Sequence, residues 1–238
     1  MIGLVSAMEE ELTLFRRHLT GESTVKHCGL DFHFGRLEGR EVAMVRCGVG
    51  KVNAAIATQL LVDRFNAESI VFTGLAGTLV PYLNRGDIVI SSSVVQHDVD
   101  LSAFGRRVGE LPDLARAVDA DQRLVHAAAG VCERVIADDP ERKMVVGTIA
   151  SGDSFVADPE KIRWLQAEFG AVAVEMEGGA VGQVCRMSKI PFVVIRVISD
   201  GGGDGAAGEF IMFLDQASEL SFRIVSSLIS GQIETAPR

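Results

Sequence analysis

Short apolar runs alternate along the chain with longer segments in which apolar residues recur at helical spacing. The runs are rich in Val and Ile and have the length of strands, whereas the segments between them have the length of helices. This alternation is typical of an α/β domain with a mixed or mostly parallel sheet. Eight strands are predicted, at residues 2–6, 32–37, 42–47, 69–73, 87–96, 144–151, 171–175 and 192–198.

Two of the intervening helices have clear apolar faces. One follows residues 50–52, and the other occupies the C-terminal part of the chain before Gly231. Their apolar residues are predicted to be core contacts rather than a cofactor site, since apolar stripes at helical spacing face the protein interior. The stripes consist of Ala54, Ala55, Ile56, Leu60, Leu61 and Val62 in the first helix and of Phe213, Ala217, Leu220 and Ile224 in the second.

The sequence shows no internal boundary. No Pro-, Gly- or Ser-rich linker and no repeat divides it, so residues 1–231 are predicted to form one domain, followed by a polar tail at residues 232–238. Regular periodicity stops at residues 96–112 and 201–209, where Gly and charged residues accumulate. Such stretches are typical of loops next to a functional site.

Charge and composition narrow the choice of partner. The chain has 238 residues, of which 47% are hydrophobic, as in an ordinary globular domain. Lys and Arg total 23 against 32 Asp and Glu, and the net charge of −9 argues against a surface that follows nucleic-acid phosphates. We therefore expect a small-molecule partner and no nucleic acid.

The four cysteines, Cys28, Cys47, Cys132 and Cys185, show no C-x-x-C spacing and no His-rich neighbourhood. This pattern predicts neither a zinc site nor a disulfide framework, so we expect free thiols and no metal.

The N-terminus lacks the basic and apolar regions of a secretory signal, and no apolar run reaches the ~20 residues of a membrane-spanning helix. A cytoplasmic protein without a membrane partner is expected.

Carboxylates follow three of the apolar runs. Glutamates occupy residues 9–11, the segment 174–179 reads Val-Glu-Met-Glu-Gly-Gly, and Asp200 follows the last predicted strand. Asp and Glu are usually solvated, and that interpretation suits the first two glutamates. Glu177 and Asp200 end apolar runs, where a charge is costly without a role. Three convergent carboxylates would supply a proton donor, a water activator and an acceptor for sugar hydroxyls, a set that suits cleavage of a glycosidic bond.

Two glycine-containing segments lie at strand ends. Residues 48–51, Gly-Val-Gly-Lys, lack the spacing of a Walker loop or a dinucleotide-binding fingerprint. A tight strand-to-helix turn is therefore favoured over a phosphate cradle. Residues 73–77, Thr-Gly-Leu-Ala-Gly, end a buried strand with small side chains, which let a ligand approach the backbone, although packing alone also explains them.

In chain order, eight segments together resemble the 5′-methylthioadenosine/S-adenosylhomocysteine nucleosidases of the purine nucleoside phosphorylase superfamily. They cover nearly the whole chain, and their combination is far more specific than any one of them. The segments are residues 3–11, 48–55, 73–77, 86–89, 97–98 with 104–105, 151–155, 174–177 and 198–200.

The resemblance implies a nucleoside phosphorylase-like fold, a single three-layer α/β/α domain with a central mixed sheet. It implies a hydrolase that cleaves the N-glycosidic bond of 5′-modified adenosines and releases adenine, without a metal or an organic cofactor. The small-molecule partner is then a nucleoside. The family also implies a role in methionine salvage and a homodimer in which the loop at residues 96–112 lies near the partner's site.

Individual residues match the family's catalytic positions. Asp200 matches the acid that protonates N7 of adenine, with Ser199 holding its orientation, and Glu11 matches the base that takes a proton from the attacking water. Burial should therefore raise the pKa of Asp200, while Glu11 stays ionised. Glu177 matches the acceptor of the ribose hydroxyls, which also stabilises the cationic transition state. Glu175 would share the face of Glu177 if the strand continued, so we expect it to support the site from behind.

The remaining matches contact the nucleoside. Met176 matches a residue that lies against the sugar, and Phe155 matches the aromatic side chain that stacks on adenine. Val156 matches a residue whose backbone reads the edge of the base. Phe104, in the loop at residues 96–112, is the last predicted substrate-binding residue.

The chain departs from the family pattern near the water and near the 5′ substituent. Leu75 and Thr78 stand where the nucleosidases usually have Ser and Gly. Arg106 and Arg107 stand where the family tends to have an aromatic residue that packs on the 5′-alkylthio group of a substrate in the neighbouring subunit. Arginines there would favour a polar or anionic 5′ substituent, and solvated surface arginines are the equal alternative.

Three other functions stay open. A phosphorylase needs positive groups for phosphate and commonly has Arg immediately before the Asp of the strand that here begins Gly86-Asp87; this chain has Arg85 one step earlier and Arg46 as a second candidate. The second alternative is a nucleosidase for another 5′-modified nucleoside such as aminodeoxyfutalosine, and the third is a non-catalytic nucleoside-binding relative. Glu11 argues against the third, because binding alone needs no water activator.

Overall fold

Ten strands and six α-helices alternate along the chain in the computed structural model, which describes residues 1–203 and 205–231. A turn of 3₁₀ helix at Ser102–Phe104 lies in the long connection between the sixth and seventh strands. The elements in chain order are β1 (Ile2–Ser6), α1 (Glu9–Arg17), β2 (Thr20–His27), β3 (Leu30–Leu37), β4 (Arg40–Arg46), α2 (Lys51–Asp63), β5 (Ser69–Thr78), β6 (Ile88–Gln96), β7 (Ala117–Asp119), α3 (Gln122–Val135), β8 (Met144–Ser151), α4 (Pro159–Phe169), β9 (Ala171–Glu175), α5 (Gly178–Ser188), β10 (Phe192–Asp200) and α6 (Ala206–Ser230).

All eight predicted strands are present. Two further strands, β2 and β7, were not predicted from the sequence. β2 is an edge strand with seven exposed residues of eight, so it needs no apolar pattern, and β7 has only three residues. β5 and β10 continue past their predicted ends, to Thr78 and Asp200. The predicted tail at residues 232–238 lies outside the described residues, so the domain boundary at residue 231 stays a prediction.

The strands form one mixed sheet that partly closes on itself. Its order is β10-β6-β8-β9-β5-β1-β4-β3-β2, with β7 beside β6, and β10 also pairs with β5. The second pairing of β10 makes a ring of β5, β10, β6, β8 and β9, from which β1, β4, β3 and β2 extend as an open sheet. β5 therefore has three neighbours: it runs parallel to β1 and β10 and antiparallel to β9.

Two hydrophobic cores cover the opposite faces of the sheet, which gives the expected three layers. Successive strand residues point to opposite faces, and in β1 Leu4 and Val5 belong to different cores. Helices α2 and α5 pack on the Val5 face, and α1, α3 and α6 pack on the Leu4 face. The predicted apolar stripes are confirmed at Ala217, Leu220 and Ile224 of α6 and at Ala54 and Leu61 of α2, whereas Ile56, also predicted in the core, is exposed. No helix within residues 1–203 and 205–231 is both long and apolar enough to span a membrane.

Candidate active site

A cavity of about 380 Å³ lies where the ends of β1, β9 and β10 meet the end of β5. Residues 154–156, which follow β8, and the first turns of α6 complete its mostly apolar wall. Ligands of α/β sheets bind beyond the carboxyl ends of the strands, and apolar walls with a few convergent polar groups are typical of small-molecule sites. Seven of the eight predicted site residues line the cavity: Glu11, Phe155, Val156, Met176, Glu177, Ser199 and Asp200.

Glu11 enters the cavity from the first turn of α1. Its Oε2 accepts hydrogen bonds from the Ser6 hydroxyl at 2.6 Å and from the backbone N–H groups of Ala7 and Met8 at 3.1 and 3.0 Å. Its Oε1 accepts one from the Leu75 N–H at 3.1 Å. The backbone donors belong to the turn that opens α1 and to β5, so the local fold itself orients the carboxylate.

Opposing effects act on the pKa of Glu11. Complete burial raises the pKa, and the Ser6 hydroxyl, the charge of Arg196 and the backbone donors lower it in part.

The approach of β5 to the Glu11 carboxylate requires glycine at residue 74. A Cβ atom on Gly74 would lie 2.6 Å from Glu11 Oε1 and 2.7 Å from Arg196 Nη1.

Asp200 is the last residue of β10 and is buried. The Ser199 hydroxyl donates to its Oδ2 at 2.8 Å, and the Gly202 N–H donates to its Oδ1 at 3.1 Å. Burial raises the pKa of Asp200, against the effect of these two donors. A carboxyl group with a raised pKa holds its proton to higher pH, which is the property that a proton donor needs.

Glu177 stands between β9 and α5 as the N-cap residue of that helix. Its Oε1 accepts a hydrogen bond from the Gly50 N–H at 2.7 Å. Burial, and then the neighbouring charge of Glu175, raise the pKa of Glu177 to about 8. A ligand with hydroxyl donors would favour the ionised form, because each donated hydrogen bond stabilises the charge.

Glu175 and Arg196 form a buried ion pair behind Glu177. The backbone N–H groups of Glu177 and Gly178 also donate to Glu175, at 3.2 and 2.8 Å, and the Ser151 hydroxyl is a further partner. β9 ends at Glu175, so the two glutamates do not share a strand face as predicted. Glu175 nevertheless holds the backbone of Glu177, which is the supporting position expected for it.

Arg196 is the main residue of the site that the sequence interpretation misses. It is among the largest fully buried side chains, and its guanidinium carbon lies 3.9 Å from the centre of the Phe72 ring. Its charge also lowers the pKa of Glu11 and Glu177. The signal was present in the sequence, because Arg196 is the one charged residue in the apolar run at residues 192–198.

The turn at residues 48–51 joins three parts of the site. The predicted strand-to-helix turn is confirmed, and Gly50 adopts a φ of +102°, which favours glycine. The Lys51 N–H donates to Asp153 at 2.8 Å, and the Lys51 ammonium group donates to Asp98 at 2.6 Å. Of the carboxylates that line the cavity, the turn binds Glu177, through the Gly50 N–H.

The substrate-contact predictions divide into two groups. Met176, Val156 and Phe155 line the cavity, and the Phe155 ring packs edge-to-face on Phe210 of α6 with centroids 6.3 Å apart. Phe104 does not line the cavity of its own chain, and it is 82% exposed.

The departures from the family pattern have separate outcomes. Leu75 lines the cavity, so an apolar side chain stands beside the Glu11 carboxylate. Thr78 is occupied in a local turn, where its hydroxyl contacts the Val80 backbone. Arg106 and Arg107 pair with Glu110 and Glu168 of their own chain, at 3.1 and 3.4 Å, and neither lines the cavity.

The fold and the carboxylate-lined cavity define a member of the phosphorylase superfamily, whose family model matches residues 1–230. The 5′-methylthioadenosine/S-adenosylhomocysteine nucleosidase of Bacillus subtilis is 42% identical over 231 residues, which are 96% of this chain and 97% of that protein. The corresponding nucleosidase of Geobacillus kaustophilus is 40% identical over 228 residues, 95% of each chain. The chain belongs to the 5′-methylthioadenosine/S-adenosylhomocysteine nucleosidase family.

Solved structures agree with this assignment. The nucleosidase of Colwellia psychrerythraea in complex with adenine has a TM-score of 0.90 and 40% identity, covering 96% of this chain and 93% of that one. The Neisseria meningitidis nucleosidase in complex with methylthio-immucillin-A has a TM-score of 0.91 and 33% identity, covering 97% and 99%. The futalosine hydrolase of Helicobacter pylori has a TM-score of 0.90 and 33% identity, covering 97% of each chain.

Proposed function

We propose that this protein hydrolyses the N-glycosidic bond of 5′-methylthioadenosine and S-adenosylhomocysteine and releases adenine. One observation carries the proposal: the charged side chains that line the cavity, within residues 1–203 and 205–231, are all carboxylates, Glu11, Glu175, Glu177 and Asp200. Such a set serves acid–base chemistry at a glycosidic bond. The names of the similar proteins, nucleosidases at about 40% identity over nearly the full length, support the same reaction.

Water is the proposed nucleophile, because phosphate would have no cationic partner. In the part of the chain that the structure describes, no Lys or Arg side chain lines the cavity. Arg46 pairs with Glu9 at 3.5 Å, and Arg85 lies over the Phe213 ring. Arg196 is committed to Glu175. Phosphate among carboxylates without a counter-charge would be repelled, and this disfavours phosphorolysis.

In the proposed mechanism, Asp200 donates a proton to N7 of adenine as the bond to the sugar weakens. The positive charge that develops on the ribose ring is stabilised by Glu177, which accepts hydrogen bonds from the ribose hydroxyls. Glu11 takes a proton from the water that attacks the sugar carbon. The raised pKa of Asp200 supports the first step, and the four donors that hold Glu11 support the last.

The remaining site residues bind the nucleoside in this proposal. Phe155 stacks on adenine, the backbone of Val156 contacts the base edge, Met176 lies against the sugar and Ser199 orients Asp200. The apolar wall favours an uncharged 5′ substituent, and methylthioadenosine is therefore the leading substrate.

Futalosine-type nucleosides are the second candidate substrates, because the futalosine hydrolase structures of Helicobacter pylori are as similar in fold as the nucleosidases. An anionic 5′ substituent would need a cation, and Arg106 and Arg107 are paired with Glu110 and Glu168. This observation ranks futalosine-type nucleosides below methylthioadenosine.

A homodimer forms part of the proposal. Exposed apolar side chains, Val49 at 51% in the turn before α2 and Val52 at 68% and Ile56 at 45% in its first two turns, lie close together in the sequence, and Phe104 extends from the loop after β6. Such side chains favour contact with a second copy of the chain. Sedimentation velocity should show a dimer, and a monomer at micromolar concentration would contradict this part of the proposal.

The place of the reaction in methionine salvage and the cytoplasmic location are further parts of the proposal; the first follows from the family resemblance, and the second is the expectation drawn above from the sequence. Accumulation of methylthioadenosine or S-adenosylhomocysteine in cells that lack the gene would support the first. Recovery of the protein in the cytosolic fraction would support the second.

The decisive assay is adenine release from a panel of adenosines with different 5′ substituents, with and without phosphate. We expect adenine and a free sugar at a rate that does not depend on phosphate, with methylthioadenosine and S-adenosylhomocysteine among the best substrates. A phosphorylated sugar, or a rate that requires phosphate, would identify a phosphorylase. Binding of the nucleosides without release of adenine would identify a binding protein.

A further inference from the structure

The Ser6 hydroxyl touches Glu11 but not the cavity. It donates to Glu11 Oε2 at 2.6 Å, the shortest of the four hydrogen bonds that this carboxylate accepts. Ser6 is completely buried at the end of β1, and it is absent from the cavity wall. Register with Arg46 of β4, and a hydrogen bond from the Cys47 N–H to the Ser6 carbonyl at 2.8 Å, fix its backbone.

The two oxygens of Glu11 have unequal surroundings. Oε2 accepts three hydrogen bonds, from Ser6, Ala7 and Met8, whereas Oε1 accepts one, from the Leu75 N–H. A carboxylate offers about two acceptor positions on each oxygen, so Oε2 is saturated and Oε1 keeps a free position. Oε1 is therefore the oxygen that is available to a water molecule.

We propose that Ser6 is a positioning residue for the hydrolysis: its hydroxyl holds Glu11 Oε2 so that Oε1 faces the attacking water. This inference rests on the proposed function. Among the four donors to Glu11, Ser6 supplies the one that belongs to a side chain, and the other three are backbone N–H groups. A substitution of Ser6 can therefore remove this single hydrogen bond and leave the three backbone hydrogen bonds to Glu11 in place.

Ser6→Ala should change the pH profile in a defined direction. A hydroxyl that donates to a carboxylate stabilises its ionised form, and burial already raises the pKa of Glu11. Without the hydroxyl the pKa rises further, so less Glu11 is ionised at a given pH. The acidic limb of the pH profile of kcat/KM should move upward by about one to two pH units, and kcat at neutral pH should fall about tenfold with little change in KM.

Two further variants separate positioning from folding. Ser6→Cys places a weaker donor of similar shape at the same position, and its acidic limb should move in the same direction by a smaller amount. Ser69→Ala is the matched control, since Ser69 is also a buried serine of the central sheet, faces Ile2 of β1 in register, and has a hydroxyl without a hydrogen-bond partner in the structure. Its pH profile should equal that of the wild-type protein.

A titration of ¹³C-labelled glutamate followed by NMR provides a readout that does not need turnover. The Glu11 carboxyl signal, assigned by its loss in Glu11→Gln, should titrate at higher pH in Ser6→Ala than in the wild-type protein. If the wild-type protein releases no adenine from any nucleoside, the proposed function is wrong, and the titration still decides whether Ser6 holds the carboxylate. An unchanged titration and an unchanged acidic limb in Ser6→Ala would overturn the inference, and so would an equal loss of kcat when Ser6→Ala is added to Glu11→Gln.

Discussion

The carboxylate-lined cavity and the loop between β6 and β7 differ in whether their main side chains have partners within the same chain. Every carboxylate of the cavity accepts hydrogen bonds from groups of the same chain, and Glu175 also forms a buried ion pair with Arg196. The loop holds its arginines in surface ion pairs and leaves Phe104 82% exposed. The acidic groups of the cavity are therefore positioned within one chain, whereas the proposed contact of Phe104 with a substrate requires a second copy of the chain.

The loop is nevertheless anchored at its base. Arg116 donates to the Val108 carbonyl at 2.7 Å and to the Glu168 carbonyl at 3.2 Å, and its guanidinium carbon lies 4.4 Å from the centre of the Phe169 ring. These contacts hold the loop against α4. Substitutions in the cavity should therefore change the rate, and those in the loop should change the apparent affinity.

The largest effect is expected for Glu11→Gln. The amide keeps the shape of the side chain but cannot accept a proton from water, so kcat should fall by about 10²–10⁴. Binding of a nucleoside analogue, measured by calorimetry, should change little, because the lost interaction acts in the transition state. Glu9→Gln, an exposed glutamate of the same helical turn, is the control. A parallel loss of binding and rate would make Glu11 a ligand contact or a folding residue.

Arg196→Met tests the buried ion pair between Arg196 and Glu175. It leaves Glu175 buried without its counter-charge, and breaking such a pair costs about 3–5 kcal/mol of unfolding free energy. Urea unfolding should show this loss, and adding Glu175→Gln should recover part of it. Because the charge of Arg196 lowers the pKa of Glu11 and Glu177, the acidic limb of kcat/KM should also move to higher pH. Unchanged stability would contradict the role of the buried pair.

Asp200→Asn removes the proposed proton donor. Turnover should fall by about 10² or more, with thermal stability nearly unchanged. The raised pKa of Asp200 keeps it protonated above the ordinary range of a carboxyl group, so the wild-type rate should decline on the alkaline side as that proton is lost. The variant should lose this alkaline limb. Near-normal turnover, judged against the exposed Asp63→Asn, would remove Asp200 from the mechanism.

Phe104→Ala should act on the neighbouring subunit, with KM raised several-fold and kcat retained. Mixing subunits gives a direct test. A heterodimer of Phe104→Ala with Glu11→Gln contains one site that has both Glu11 and a Phe104 supplied by the other subunit. That mixture should recover the wild-type KM. If KM stays high after subunit exchange, Phe104 does not serve the partner's site.

The smallest effect is expected for the double change Arg106→Ala and Arg107→Ala. Surface ion pairs contribute about 0–1 kcal/mol, and the arginines have partners outside the cavity. The values of kcat/KM for methylthioadenosine and S-adenosylhomocysteine should therefore change alike, by no more than about twofold. A selective loss for the charged substrate would show that an arginine reaches the 5′ end in the assembled protein.

Apolar runs predicted the strands that are buried, several of them on both faces, because burial requires apolar side chains. This pattern missed β2, whose polar sequence is allowed by its position at the edge of the sheet, and it ended β5 too early because three of the four residues 74–77 are Gly or Ala. Small residues are needed there for another reason: a Cβ atom on Gly77 would lie 3.0 Å from Asp200 Oδ1. Gly77 and Asp200 are far apart in the chain, so the local spacing of residues cannot predict this contact.

The carboxylates of the site were predictable because each follows an apolar run, where an unused charge would be costly. Their partners were not. Arg196 stood alone in an apolar strand, which signals a buried counter-charge, but its pairing with Glu175 depends on how β9 and β10 are placed by the closed sheet. The proposed contact of Phe104 with a substrate depends on a second copy of the chain, which local sequence patterns do not describe.

The ring of strands closes through pairing of β10 with β5, and this has a consequence for the order of events during synthesis. Glu11 and Glu175 leave the ribosome before Arg196 and Asp200, which both belong to the last strand. Until β10 docks, the nascent chain holds Glu175 without its buried partner, and the acid end of the cavity does not exist. Closure of the ring, neutralisation of the buried charge and placement of Asp200, the proposed proton donor, thus all require the same last strand, and the growing chain lacks the complete cavity until β10 has been made.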